Sequence, residues 1–121
     1  MGDAEGARLF VSGGELNPLQ FLQGWYRDQC NEDWEHEFGI RMETLDNPGW
    51  HVVVDVVDTD LEGKKFERRW SEADESRWIW AAADGESYDL TCDPLSLEKG
   101  LEWFREFAEG AAYSPPMQRE K

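Results

Sequence analysis

After residue 16 the chain shows a helical pattern of apolar residues. Apolar side chains recur there at every third or fourth position, at Leu19, Leu22, Trp25 and Tyr26. This spacing predicts an amphipathic helix that runs to about Cys30. Its start is indicated by Asn17 as the N-cap, Pro18 at the first helical position and Gln20 as the partner in a capping box. Residues 31–37 are polar and predict a connection.

Between residues 38 and 92 apolar and polar residues alternate, as is typical of half-buried strands. The alternation defines five segments: 38–43, 50–57, 66–70, 77–83 and 87–92. The run Asp46-Asn47-Pro48-Gly49 fits a type II turn and predicts a hairpin between the first two segments, and Asp84-Gly85 predicts one between the last two. The fourth segment places Trp78, Trp80 and Ala82 on one face. We expect core packing for its tryptophans and for those beside the other apolar faces: Trp25, Trp50 and Trp103.

A second helical stripe predicts a C-terminal helix. Asp93-Pro94 supplies an N-cap and a first-turn proline, and Gly110 marks the end. The stripe itself consists of Leu97, Leu101, Phe104 and Ala108. Strands gathered between two helices predict an α+β fold: an N-terminal helix, about five antiparallel strands in a meander, and a C-terminal helix, with the helices on one sheet face. The other face is then open to water or to a partner.

The domain organisation follows from the same patterns. Residues 1–15 are expected to form a flexible leader, 16–110 a single domain and 111–121 a mobile tail. The first 14 residues hold one basic residue and no apolar run of signal-peptide length, and no stretch reaches the length of a membrane span. Cys30 and Cys92 have no paired spacing, so we expect reduced thiols and a cytoplasmic protein.

The composition narrows the class of partner. The 121 residues include 12 Lys and Arg against 27 Asp and Glu, a formal net charge of −15. This charge argues against nucleic acid or an anionic membrane, whereas seven Trp, three Tyr and six Phe indicate a folded domain. The acidic residues gather in four stretches: 32–37, 55–62, 72–75 and 84–93. A shared negative surface would attract a basic protein.

Residues 33–37 are the segment where chemistry would lie, since only here do carboxylates cluster around a histidine. Asp33, Glu35 and His36 are candidate metal ligands, but three adjacent residues rarely converge on one ion, and no H-x-x-x-H or C-x-x-C motif is present. Trp34 lies between carboxylates and is either an interface anchor or a ring folded back over the sheet edge. We therefore expect that the protein is not an enzyme and binds no cofactor. The alternative is a small metal-dependent enzyme that uses this cluster.

Several strings of this chain resemble the immunity protein 53 family of bacterial polymorphic toxin systems. They are Leu22-Gln23-Gly24-Trp25-Tyr26, Gln29-Cys30, Asp33-Trp34-Glu35-His36, Gly39-Ile40 and Glu43-Thr44-Leu45-Asp46-Asn47-Pro48-Gly49-Trp50. The resemblance covers roughly residues 16–109 and is strongest over 19–62. It implies a small cytosolic antidote, encoded beside a delivered toxin, that binds the toxin domain and blocks it.

We therefore expect a non-enzymatic toxin inhibitor with an acidic, aromatic-containing surface, whose partner is a basic toxin such as a nuclease. We expect toxin contacts from Asp33, Trp34, Glu35, His36, Asp46, Asn47, Asp58 and Asp60. The family motif also includes residues expected to determine the fold: Trp25, Tyr26, Pro48, Gly49 and Trp50. The protein is expected to be a monomer or a weak homodimer. A structural, oligomerising module that uses the open sheet face is the remaining alternative.

Overall fold

A computed structural model describes residues 16–110, so the leader predicted at 1–15 and the tail predicted at 111–121 lie outside the described residues. The helices are α1 (Pro18–Gln29), α2 (Trp34–Glu37) and α3 (Leu97–Glu109). The strands are β1 (Ile40–Leu45), β2 (Gly49–Asp55), β3 (Lys65–Asp74), β4 (Arg77–Asp84) and β5 (Ser87–Cys92). The predicted α+β class, with five antiparallel strands between an N-terminal and a C-terminal helix, is confirmed.

Helix α1 starts as its sequence predicts. The side chain of Asn17 accepts a 2.8 Å hydrogen bond from the backbone N–H of Gln20, and the side chain of Gln20 accepts one of 3.1 Å from the N–H of Asn17. This reciprocal pair is the predicted capping box. The helix ends at Gln29, with Cys30 as the C-cap.

The sheet has the order β1-β2-β5-β4-β3, and every neighbouring pair is antiparallel. Strands β3, β4 and β5 follow one another as a meander, and the β1–β2 hairpin joins them through pairing of β2 with β5. The connection 56–64 therefore carries the chain from the middle of the sheet to its far edge. Both β1 and β3 are edge strands.

The core lies between one sheet face and the helices. Phe104 of α3 is fully buried, and the rings of Trp25 and Tyr88 meet it edge-on at centroid distances of 5.2 Å. Gly100 lets α3 approach β5 closely, because an added Cβ would lie 2.7 Å from both terminal carbons of Leu90. The sheet contributes a buried set to this core: Val52, Val54, Ile79, Ala81, Ala83, Tyr88, Leu90 and Cys92.

The prediction that Trp78, Trp80 and Ala82 form the core-facing side of β4 is wrong. Ile79, Ala81 and Ala83 are buried, whereas Trp80 is 42% exposed and lies on the opposite face. The register explains this result, because Ala81 pairs with the buried Leu90 of β5 and Trp80 pairs with Thr91. Residues 78–83 are apolar on both faces, so the alternation does not show which face is buried. Of the other four tryptophans expected in the core, Trp103 is buried, and the rest are half-buried: Trp25, Trp50 and Trp78.

Helix α3 begins at Leu97, three residues later than Asp93-Pro94 predicts. Asp93 instead holds the corner between β5 and α3, and its carboxylate is 1% exposed. It accepts hydrogen bonds from the N–H of Trp78 (2.6 Å), the N–H of Leu95 (2.8 Å) and the hydroxyl of Ser96 (2.6 Å). The predicted end at Gly110 is confirmed, with φ at +74°.

Candidate functional site

Four of the predicted contact residues lie together at α2, with Asp33 as its N-cap and Trp34, Glu35 and His36 in the helix. Polar side chains at and before the helix hold its start. The carboxylate of Glu35 accepts hydrogen bonds from the backbone N–H groups of Asn31 (2.9 Å) and Glu32 (2.8 Å). The Asn31 side chain in turn accepts from the N–H groups of Asp33 and Trp34, both at 2.9 Å. Backbone N–H groups, that of Glu35 itself first, lower the pKa of Glu35. Glu35 therefore shapes the helix start.

Trp34 is folded back over the sheet edge, which is one of the two alternatives that the sequence leaves open. Its side chain is 4% exposed, and its indole N–H donates a 2.8 Å hydrogen bond to the carbonyl oxygen of Val57. The ring meets Trp25 and Tyr26 of α1 edge-on, at 6.0 and 6.1 Å. Trp34 thus joins α1, α2 and the chain after β2, and little of its surface is open to a partner.

An acidic cleft of about 450 Å³ lies over Trp34. It is lined by Asn31, Asp33, Trp34, His36, Glu37, Phe38 and Asp58. The fold thus brings Asp58, from the connection after β2, to the predicted residues of α2. Asp58 has a left-handed φ of +64°, and Asp60 is exposed two residues further on. Carboxylates around an opening of this size suit a basic side chain of a partner.

The remaining predicted contacts, Asp46 and Asn47, lie in the β1–β2 turn. That turn is at the far end of the hairpin, since Ile40 pairs with Val54 near the acidic cleft and Leu45 pairs with Gly49 at the turn. Five residue steps of a strand separate the two ends, a distance of about 17 Å. The eight predicted contact residues therefore do not form one continuous patch.

Residues of the family motif at the end of the β1–β2 turn and at the start of β2 lie at positions that determine the fold. An added Cβ on Gly49 would run into the backbone carbonyl oxygen of Cys92. The indole N–H of Trp50 donates a 3.2 Å hydrogen bond to the carbonyl oxygen of Pro94. Pro48 is exposed in the turn. These contacts bind the hairpin to β5 and to the corner before α3.

The described residues do not supply a set of metal ligands for the alternative function, a metal-dependent enzyme. Among residues 16–110 no group of three or more His, Cys, Asp or Glu is placed to hold a metal ion. Both carboxylate oxygens of Glu35 face backbone N–H groups, away from a shared site with Asp33 and His36.

A row of side chains that was not predicted from the sequence lies on the open face, by which we mean the sheet face opposite α1 and α3. The register places one residue of each strand side by side in the order Glu43, His51, Thr91, Trp80 and Trp70. Trp70 and Trp80 are stacked, with centroids 6.1 Å apart and planes 29° apart. The guanidinium of Arg68 lies 5.1 Å from the Trp80 ring centroid. The sequence signal that could have predicted an aromatic residue on this face was the apolar character of both faces at residues 78–83.

His51 lies between two carboxylates of the open face. Its Nε2 is 3.1 Å from Asp89, and its Nδ1 is 3.6 Å from Glu43. A cavity of about 710 Å³ opens beside Asp89, the nearer of the two carboxylates. It is lined by Lys65, Phe66, Glu67, Ala82, Ala83, Asp84, Ser87 and Asp89.

Residues 19–109 match the family model of immunity protein 53, so the chain belongs to the immunity protein 53 family. The resemblance stated from the motifs is thereby confirmed. Family membership implies a non-catalytic inhibitor that binds and neutralises a cognate toxin. No curated protein and no solved structure matches the chain. Within 16–110 no helix is long and apolar enough to cross a membrane.

Proposed function

We propose that the chain neutralises one cognate bacterial toxin by binding its toxic domain in the cytoplasm, with no chemistry or cofactor of its own. The observation that carries the proposal is the family match over residues 19–109. The partner is a basic domain, with a nuclease as the favoured class, since a nucleic-acid-binding surface is positively charged and this chain carries a net charge of −15. The same charge disfavours nucleic acid or an anionic membrane as a direct ligand.

The acidic cleft is the first contact surface in this proposal. Asp33, His36 and Asp58 line it, and Asp60 adds a carboxylate in the same connection. Glu35 and Trp34 act there indirectly, because they hold α2 in place. Asp46 and Asn47 make a separate contact at the far end of the hairpin. The protein acts as a monomer or a weak homodimer.

Co-expression tests the proposal directly. The toxin domain encoded by the adjacent gene is expressed in a bacterial host with and without this chain. We expect growth to be restored and a 1:1 complex to be recovered. Because exposed charges more than about 10 Å apart are screened at 0.1 M salt, the Kd is expected to rise at least tenfold between 50 and 500 mM NaCl. Absence of both rescue and complex contradicts the proposal.

A charge variant tests the acidic cleft separately. The double variant Asp33→Asn/Asp58→Asn removes two carboxylates at exposed positions. It is expected to raise the Kd for the toxin and to make the Kd depend less on salt. Asp28→Asn, on the exposed surface of α1, is the matched control. Equal Kd values for the two variants would remove the cleft from the interface and leave the neutralising function intact.

The oligomerising alternative is supported by one observation, the two exposed tryptophans of the open face. Light scattering over a range of protein concentrations decides this alternative. A stable dimer in the absence of toxin would favour it.

A further inference from the structure

The open face carries its largest apolar exposure at Trp70 and Trp80. Trp70 is 54% exposed and Trp80 is 42% exposed, although each presses against the other. Large exposed apolar groups on a soluble domain mark interaction sites, and Trp is enriched among the residues that dominate binding energy. Ordinary core packing does not account for this pair, because the helices cover the opposite face of the sheet.

The two indoles are also held in place before any partner arrives. Trp70 and Trp80 are directly paired across β3 and β4, and the Arg68 guanidinium lies over the Trp80 ring. Side chains fixed in this way lose little conformational entropy on binding. Trp70, which is 54% exposed, therefore offers an indole already held in place to a guanidinium or ammonium group, and such groups bind well over an indole.

The open face as a whole carries more carboxylates than cations. The register places five carboxylates and three cations on the open face: Glu43, Asp55, Glu72, Asp84 and Asp89, with Arg41, Lys65 and Arg68. Arg41 already contacts Asp55 at 3.4 Å. The Glu43 side chain is 70% exposed and lies 3.6 Å from Nδ1 of His51, so its carboxylate is open to a partner. An incoming cation would find a partner at Glu43.

The cavity next to Asp89 has the chemistry to take a long basic side chain. Ala82 offers an apolar surface there, and three carboxylates line the cavity, those of Glu67, Asp84 and Asp89, against the single cation of Lys65. Lys and Arg bury an aliphatic stem while their charged ends reach polar groups. A volume of about 710 Å³ accommodates such a side chain with part of its backbone.

From these observations we infer that the open face around Trp70 and Trp80 is a docking surface for a segment of the toxin domain that presents Arg or Lys side chains. The inference rests on the proposed function and names a second contact surface for it, on the side of the sheet opposite α1 and α3. A second copy of this chain is the less suitable occupant. Each open face carries five carboxylates against three cations, so two such faces brought together would oppose net negative charge, which is unfavourable.

The test compares matched truncations in the full-length protein, with the toxin domain of the adjacent gene as the probe. Trp70→Ala with Trp80→Ala removes the stacked pair, and Leu95→Ala removes an apolar side chain that is 76% exposed in the turn before α3. Far-UV circular dichroism and the thermal midpoint are measured first, to check that both variants fold. We expect the Kd to rise at least 50-fold in the double tryptophan variant and to stay within twofold in Leu95→Ala.

Two further measurements identify the occupant. Glu43→Gln is expected to weaken binding and to reduce its salt dependence. Acrylamide quenching, taken as the difference between the wild type and Trp70→Phe/Trp80→Phe, is expected to show that the two indoles are accessible alone and protected in the complex. Protection that is already present without toxin would assign the face to another segment of this chain or, if it depends on concentration, to a second copy, and would overturn the inference.

The outcomes separate the inference from the proposed function. If the wild-type chain binds the toxin and the double tryptophan variant binds equally well, the docking surface is wrong and the toxin-neutralising function stands. If the wild-type chain forms no complex and gives no rescue, both are wrong.

Discussion

The indole N–H of Trp34 donates a 2.8 Å hydrogen bond to the carbonyl oxygen of Val57, 23 residues further along the chain. This bond fastens α2 to the connection that leaves β2. It also fixes Asp58, the next residue, beside the carboxylates of α2. The shape of the acidic cleft therefore depends on a ring that lies beneath it.

Trp34→Phe should show what this bond contributes. The substitution keeps an aromatic ring but leaves the Val57 carbonyl oxygen without its donor, which lowers the free energy of unfolding by about 1–3 kcal/mol. Urea denaturation monitored by circular dichroism measures the change. Trp70→Phe, at an exposed position, is the control and should unfold within about 0.5 kcal/mol of the wild type. Equal midpoints for the two variants would show that the bond adds no stability.

Asp93 should give the domain part of its sensitivity to acid. Burial on its own would raise the pKa of this carboxyl, but hydrogen bonds from Ser96, Trp78 and Leu95, together with Arg77, lower it overall. A carboxyl with a lowered folded pKa stabilises the protein above its unfolded pKa of about 3.9, and that contribution is lost as the pH falls through the folded pKa.

Asp93→Asn is the corresponding variant. It should lower the free energy of unfolding by about 2 kcal/mol at pH 7, because an amide cannot accept all the hydrogen bonds of the carboxylate. The difference from the wild type should shrink as the pH drops below about 4, because the carboxyl then takes up a proton in the unfolded chain, and it should be smallest below the lowered pKa of the folded state. Denaturation curves from pH 7 to pH 2.5 measure this. A difference that stays constant over the whole range would contradict the assignment.

Two glycines should respond to alanine in opposite directions. Gly49→Ala places a Cβ against the backbone carbonyl oxygen of Cys92, and since backbone cannot easily yield, we expect a loss of about 3 kcal/mol. Gly24 lies inside α1 with no atom near an added Cβ, so Gly24→Ala should add about 0.5–1 kcal/mol. Thermal or urea unfolding measures both. The prediction fails if Gly49→Ala is as stable as the wild type.

The two cysteines should differ in reactivity. Burial raises the pKa of the Cys92 thiol to about 11, and its side chain lies in the core. Cys30 is partly exposed at the end of α1, with its Sγ 3.3 Å from the carbonyl oxygen of Tyr26. Ellman's reagent at pH 8 should therefore modify one thiol per folded chain, and Cys30→Ser should abolish this fast reaction. Rapid modification of the Cys30→Ser variant would place Cys92 within reach of solvent.

Local sequence was a good guide wherever structure depends on neighbouring residues. The capping box at Asn17 and Gln20, the left-handed Gly110 at the end of α3 and the position of the β1–β2 hairpin each involve a few consecutive residues. The type II turn predicted for that hairpin is wrong, because Gly49 pairs with Leu45 as the first residue of β2 and lacks the positive φ that this turn requires. Local signals failed at Asp93, which resembles an N-cap but accepts hydrogen bonds from a distant strand, at Trp78.

The candidate site was harder to predict because its residues meet through the pairing register. Nothing near Trp80 in the sequence shows that Ala81 pairs with Leu90 and therefore faces the helices. For Trp34 the polar neighbours suggested exposure, whereas burial comes from contacts with Trp25 and Val57. The family motif identified the right class of protein even so, since it needs no knowledge of which residues face a partner.

The placement of β5 affects how the protein is made. Within residues 16–110 this strand is the last in sequence, but it lies at the centre of the sheet between β2 and β4. During translation the β1–β2 hairpin must wait, with one edge of β2 unpaired, until residues 87–92 leave the ribosome. A nascent or truncated chain that stops before Ser87 has open strand edges at both β2 and β4, and such edges promote aggregation.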